Sequence, residues 1–145
     1  MGNARKTVLR LLTRLENSGS YSNILLDEGL ERSDLSTQDK KFAAALFYGV
    51  LERQITLDSI IREYSRNPKN KLGTEVRVIL RMGLYQLLYM DSVPDNAAVD
   101  ESVKLAKKNR NPAASGFVNA MLREFIRNDK KLPKGRNATE ELSIE

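Results

Sequence analysis

The stretch that decides the fold is Glu75-Val76-Arg77-Val78-Ile79-Leu80-Arg81-Met82-Gly83-Leu84-Tyr85-Gln86-Leu87-Leu88-Tyr89-Met90. Only Glu75, Arg77 and Arg81 are charged in it. Val76, Ile79, Leu80, Gly83, Leu84 and Leu87 recur at three- and four-residue steps and cover one broad helical face. Val78, Met82 and Tyr85 carry the apolar surface onto the other side. A helix that is apolar nearly all round is a buried central helix, so this one is the hub of the domain. Gly83 costs about 1 kcal/mol in helix propensity relative to Ala, which predicts a neighbouring helix approaching closely there. A lone buried cation is expensive, so Arg81 is expected to meet a carboxylate or the carbonyls of a helix end.

Working outward, the same period repeats on both sides of the hub. Residues 3–17 predict a first helix, with Val8, Leu11, Leu12 and Leu15 on one face and Ser18-Gly19-Ser20 as its stop. Residues 22–32 predict a short second helix with Ser22 able to cap it. Ser36 or Thr37 begins a third, carrying Phe42, Ala45, Leu46, Gly49 and Val50. It continues through Ile55–Tyr64, and the β-branched Ile55-Thr56 pair suggests a kink or break. Asn67–Asn70 reads as a turn, and Thr74 as the cap of the hub. Asp95 is expected to cap a further helix reaching about Lys108, and residues 113–128 form the last, with Phe117, Val118, Met121, Leu122, Phe125 and Ile126 together. There is no strand run, internal repeat or low-complexity tract, so the fold class is all-α. The expected division is a helical domain over 1–128 and a polar linker or flexible tail over 129–145.

Composition removes most chemistry. The chain has 145 residues, one domain's worth, and contains no Cys and no His. That excludes a disulfide, a Cys/His metal site, a thiol nucleophile, a Ser-His-Asp triad and a histidine base. No phosphate loop, dinucleotide turn or zinc-protease motif is present. Adjacent acid pairs such as Asp27-Glu28 and Asp100-Glu101 diverge on a helix. No catalytic residue is assigned, nor any metal ligand. No run approaches the roughly 20 apolar residues of a spanning helix, and the N-terminus lacks an apolar signal core. Lys6 stands where a myristoylation signal wants Ser or Thr. A cytoplasmic protein without membrane attachment is expected.

The net charge is +5, and its distribution says more than its size. Residues 1–14 carry +4, 15–103 carry −4, 104–137 carry +8 and 138–145 carry −3. Two basic segments around a mildly acidic middle point to a polyanion partner. On the first helix Lys6, Arg10 and Arg14 are four apart and share a face opposite the leucines. Three long cations with no carboxylate between them suit a phosphate backbone. Arg5 lies off that stripe, nearer its border, and is grouped with it as a candidate RNA contact. Tyr21, beside this helix, is the best candidate for an exposed stacking aromatic. On the last helix Asn119, Arg123 and Arg127 form a similar row. They are candidates for RNA or, alternatively, for an inter-helix hydrogen bond or a partner-domain contact, the alternative being favoured for Asn119 and Arg123. Lys104, Lys107 and Lys108 widen the basic surface.

Three stretches resemble the NusB-like domain: Phe47-Tyr48-Gly49-Val50-Leu51, Leu80-Arg81-Met82-Gly83-Leu84-Tyr85-Gln86-Leu87-Leu88, and Gly116-Phe117-Val118-Asn119-Ala120-Met121-Leu122-Arg123. A Pro94…Ala97-Ala98-Val99…Glu101…Val103…Leu105-Ala106-Lys107 pattern joins them. The resemblance runs over about residues 4–127 and implies six to seven helices in two packed three-helix bundles, with a role in binding RNA. In detail it is similar to the N-terminal extension of the Sun/Fmu (RsmB-like) ribosomal RNA cytosine-C5 methyltransferases. Their hub helix reads Leu-Arg-x-Gly-x-Tyr-Gln-Leu and their last helix Val-Asn-Ala-x-Leu-Arg. This resemblance implies an accessory RNA-binding domain whose partners are ribosomal RNA and its own methyltransferase domain. That catalytic domain, with its S-adenosylmethionine and cysteine nucleophile, would lie outside this chain, and no cofactor is expected within it. Two other functions stay open: a stand-alone antitermination-type adaptor that binds RNA with a ribosomal protein, and a docking domain that braces a catalytic half without touching RNA.

Overall fold

A computed structural model describes residues 2–19, 21–65 and 72–133. Every regular element among them is a helix: α1 (Gly2–Ser18), α2 (Ser22–Arg32), α3 (Thr37–Glu52), α4 (Gln54–Tyr64), α5 (Thr74–Tyr89), α6 (Asp95–Ala106) and α7 (Ala114–Arg127). The hub is α5. It packs against α1, α3, α4, α6 and α7, and every side chain from Val78 to Leu84 on it is buried. Around it α1, α2 and α3 form one three-helix group, and α5, α6 and α7 a second. The α4 helix bridges α3, α5 and α7. The two groups meet where α1 lies on α5 and α6, so one core runs through both, from Val8 and Leu12 through Leu80 and Leu84 to Val99, Leu122 and Phe125.

The helix ends follow local chemistry. Ser36 caps α3 by accepting the Asp39 amide at 3.1 Å. The break between α3 and α4 falls at Arg53, with Thr56 already buried in the first turns of α4. Three expected caps move by one residue. Tyr21, Gly73 and Pro94 hold the N-cap positions of α2, α5 and α6, and none makes a side-chain cap bond. Asp95 instead sits in the first turn of α6, where a carboxylate favours the helix dipole. The predicted turn at Asn67–Asn70 lies outside the described residues, as does Ser20.

After α7 the chain stays on the helical body. Asp129 and Lys130 both adopt left-handed backbone, each with φ 56°. This turns Lys130 back so that its Nζ donates to the Leu87 carbonyl at 3.1 Å and the Asp95 carboxylate at 2.9 Å. Leu132 packs on the core. Residues 134–145 of the expected tail lie outside the described residues.

Gly83 is where the close approach occurs. A Cβ there would stand 2.8 Å from Ser102 Oγ and 2.9 Å from a Leu122 methyl, so α6 and α7 press onto α5 at this point. Both neighbours are buried and have little room to retreat. Gly83→Val is therefore expected to destabilise the fold by about 2–3 kcal/mol, despite removing a helix-weakening glycine. Urea titration followed by circular dichroism measures this; an unchanged midpoint would show that α6 and α7 can move away.

Candidate nucleic-acid interface

Helix α1 buries Ala4, Val8, Leu11 and Leu12 and turns Lys6, Arg10 and Arg14 to solvent. The four-residue step keeps the three cations on one face. The first carboxylate on α1, Glu16, bends away toward the hub and pairs with Arg77 at 3.2 Å and Arg81 at 3.4 Å. No carboxylate of α1 itself therefore stands within the row.

Depressions flank the row on both sides. Toward α6 lies a groove of about 630 Å³ with Leu9 and Leu105 in its wall and Lys6, Arg10, Arg14 and Lys108 around it. Lys6 and Lys108 line the same groove, and the neighbouring Lys6 holds the Lys108 pKa below the usual lysine value. Glu75, also in the wall, accepts from Asn109 Nδ2 at 3.1 Å. Thr13 also lines this groove, while its hydroxyl oxygen is shielded from solvent and has no hydrogen-bond partner among the described residues. Toward α2 lies a smaller cavity of about 200 Å³ on which Arg10, Arg14 and Arg32 converge, with Glu28 beside them. Gly29 permits this: a Cβ there would fall 2.7 Å from the Leu11 methyls, so α2 lies tight against α1.

Arg5 does not belong to this surface, which corrects the expectation that it contacts RNA. It is only 4% exposed. Its Nε donates to Gln86 Oε1 at 2.7 Å, its guanidinium lies 4.9 Å from the Phe42 ring centroid, and Glu101 stands 3.9 Å away. Burial pulls its pKa below the ordinary guanidinium value, and Glu101 partly restores it. Gln86 is in turn held by donating to the Met82 carbonyl at 2.9 Å. Arg5→Ala is expected to lower stability by about 2–3 kcal/mol, because a buried Gln86 oxygen loses its donor and packing is lost. The salt dependence of any RNA binding is expected to stay the same, since no surface cation is removed; a shallower salt slope in this variant would return Arg5 to the interface.

The remaining candidates stand apart. Tyr21 is 78% exposed at the start of α2 and lines neither depression. On α7, Arg123 Nε donates to Asn119 Oδ1 at 2.9 Å and its Nη2 lies 3.7 Å from Asp100, while Arg127 is exposed. This second row is thus partly occupied with its own neighbours. Arg32, Thr13, Leu9 and Leu105 carry no sequence signal that marks them as parts of a site. They come together around the α1 row only through tertiary packing.

Residues 2–127 match the NusB family. The chain belongs to the NusB family. Among its relatives, the probable ribosomal RNA small subunit methyltransferase B of Synechocystis is 37% identical over 99% of this chain, but the chain spans only 32% of that protein's length. The transcription antitermination protein NusB of Ruminiclostridium cellulolyticum is 33% identical, with 94% of each chain covered. In three dimensions, the fold is similar to a chain in the crystal structure of antitermination factors NusB and NusE in complex with dsRNA. The TM-score there is 0.78 at 25% identity, covering 88% of this chain and 96% of that one. The NusB fold thus occurs both alone and as about a third of a longer methyltransferase. Among the described residues no helix is long and apolar enough to cross a membrane.

Proposed function

We propose that this NusB-family chain is the RNA-binding module of a ribosomal RNA cytosine-C5 methyltransferase, holding the RNA backbone on the outer face of α1. The observation that carries this is the exposed row Lys6-Arg10-Arg14, extended by Lys108 across the groove. A row of guanidinium and ammonium groups neutralises phosphates without reading sequence. Bound there, the RNA would be kept at high effective concentration near a catalytic domain. S-adenosylmethionine would be held by that separate catalytic domain and not by the helical module. The likeness to the Synechocystis protein, over nearly all of this chain, supports the assignment. We place the module in the cytoplasm, where ribosomal RNA is available.

If Lys6, Arg10, Arg14 and Lys108 each neutralise a phosphate, log affinity for single-stranded RNA falls against log salt with a slope of about −3. Fluorescence anisotropy of a labelled strand across a salt series measures it. A flat response would leave the docking function, in which the domain braces a catalytic half and no RNA shift occurs at low salt.

A second function is favoured by the Ruminiclostridium relative, which this chain matches almost end to end. In that case the chain is a stand-alone antitermination-type adaptor that takes up RNA together with a ribosomal protein. Its test is co-purification: retention of a ribosomal protein on the chain at moderate salt supports the adaptor, and retention of a methyltransferase domain supports the module.

A further inference from the structure

A second surface lies at the C-terminal end of the hub, and its chemistry differs from that of the α1 row. On α3, Ala45, Tyr48 and Glu52 share an exposed stripe. Gly49 lies beside it without a side chain, and the Tyr85 ring of α5 fills the space that a Cβ at Gly49 would take. Tyr85 in turn packs on Tyr89, with ring centroids 5.1 Å apart, and the Arg53 guanidinium lies 5.0 Å from the Tyr89 centroid. Tyr48 leans edge-on against buried Phe47 at 5.5 Å. Packing thus holds these aromatic groups in place, yet Tyr48 stays 42% and Tyr89 37% exposed. Fixed tyrosines and an arginine at the surface are the residue types that anchor protein interfaces. The charges of Glu52 and Arg53 cancel within the patch, and none of these residues lines either depression beside α1. The patch therefore offers a polyanion no net attraction and leaves the α1 row open.

We propose that this α3–α5 patch is the seat of the catalytic domain of the same polypeptide. The inference rests on the proposal that the chain is a methyltransferase module. The occupant follows from the path of the chain. After α7, the left-handed pair Asp129 and Lys130 turns the backbone, and Lys130 is pinned to the Leu87 carbonyl near the end of α5 and to Asp95 at the start of α6. The described chain therefore leaves the helical body at the end of the hub that carries Tyr85 and Tyr89. In the Synechocystis relative the matched region is only 32% of the protein. A domain that continues from this end is delivered beside the patch. Three tyrosines and an arginine are small against the roughly 800 Å² per partner of a free-standing complex. A tethered domain needs less, because the linker supplies effective concentration. The partner surface expected is apolar at its centre, with hydrogen-bond acceptors for the tyrosine hydroxyls. A catalytic domain docked there leaves Lys6, Arg10 and Arg14 available, so one module holds RNA and enzyme with different residues.

The test uses a fusion in which this chain replaces the matched third of the Synechocystis methyltransferase, with hydroxyl-radical footprinting of the tyrosines. Tyr48 and Tyr89 are expected to react about fivefold more slowly in the fusion than in the chain alone. Tyr21, 78% exposed and outside the patch, is expected to react equally in both. A second measurement serves if the fusion does not fold: the unmatched part of the Synechocystis protein, checked for fold by circular dichroism, is titrated with the chain. Tyr48→Ser with Tyr89→Ser is expected to weaken that binding at least about tenfold and to leave the RNA affinity of the chain unchanged. Both side chains are exposed, so the variant keeps the fold. Equal binding by the variant overturns the patch. Unprotected tyrosines in a fusion that still methylates ribosomal RNA better than the unmatched part alone also overturn the patch, and leave the module standing. No protection and no such gain overturn the module, and the patch with it. Protection of Tyr48 and Tyr89 in the chain by an RNA strand, or by raising the concentration of the chain itself, gives the surface to RNA or to a second copy and overturns the proposal.

Discussion

Asp58→Ala is expected to lower the unfolding free energy by about 3 kcal/mol and the melting temperature by roughly 10 °C. Arg81 is the reason. It lies on the hub helix, 5% exposed, and its Nε and Nη2 donate to the two Asp58 oxygens at 2.7 and 3.0 Å. Glu16 of α1 completes the shell at 3.4 Å. Burial alone would lower the Arg81 pKa, yet the hydrogen bonds and charge of Asp58, with Glu16 behind them, leave it above the ordinary guanidinium value. Removing Asp58 leaves a buried cation with one longer, more exposed partner, and that is the costly way to break such a pair. Replacing both residues with apolar ones, Arg81→Leu with Asp58→Leu, is expected to recover much of the loss, because no charge is then stranded. Thermal melts of the three chains decide it. A double variant as weak as the single one would mean that the ion pair itself, and not the stranded charge, dominates.

The second large effect concerns binding. Reversing the α1 row with Lys6→Glu, Arg10→Glu and Arg14→Glu is expected to weaken RNA affinity at least about a hundredfold at low salt and to flatten the salt slope. Stability is expected to change little, since all three side chains are exposed and one run of like charges replaces another. Lys41→Glu with Arg62→Glu and Lys131→Glu, all exposed and outside both depressions, makes the same change in net charge and is the control. Equal losses from the triple variant and the control would reduce the interface to a general charge effect. Unchanged affinity in the triple variant would remove RNA from α1 altogether.

Most of the fold was legible because it depends on local period. The near absence of charge from 78 to 90 marked the hub, and Gly83 and Arg81 announced a close contact and an ion pair whose partners only packing could supply. The site was legible only in part. Lys6, Arg10 and Arg14 follow from spacing alone. Arg5 was grouped with them by its charge, although at about 100° per residue it lies some 20° from Leu12 and 60° from Val8, on the buried face. Its angular position was the available signal. Its partners Gln86, Phe42 and Glu101 sit on three other helices, which no local pattern brings together. The same holds for Thr13, Leu105 and Arg32, whose arrangement around α1 is a product of helix packing.

The outward cations of α1 belong to a helix moored near both ends. Arg5 ties its start to Gln86 of the hub, and Glu16 ties its last turns to Arg77 and Arg81. The spacing of Lys6, Arg10 and Arg14, about 6 Å per four-residue step, is therefore set before any ligand arrives. An RNA strand meets a pre-organised ruler, and its binding does not have to supply the entropy of ordering a helix. Affinity and fold stability are coupled through these moorings: a substitution at Gln86 or Arg81, which touches no RNA, would loosen the ruler and be felt as a faster release of the strand.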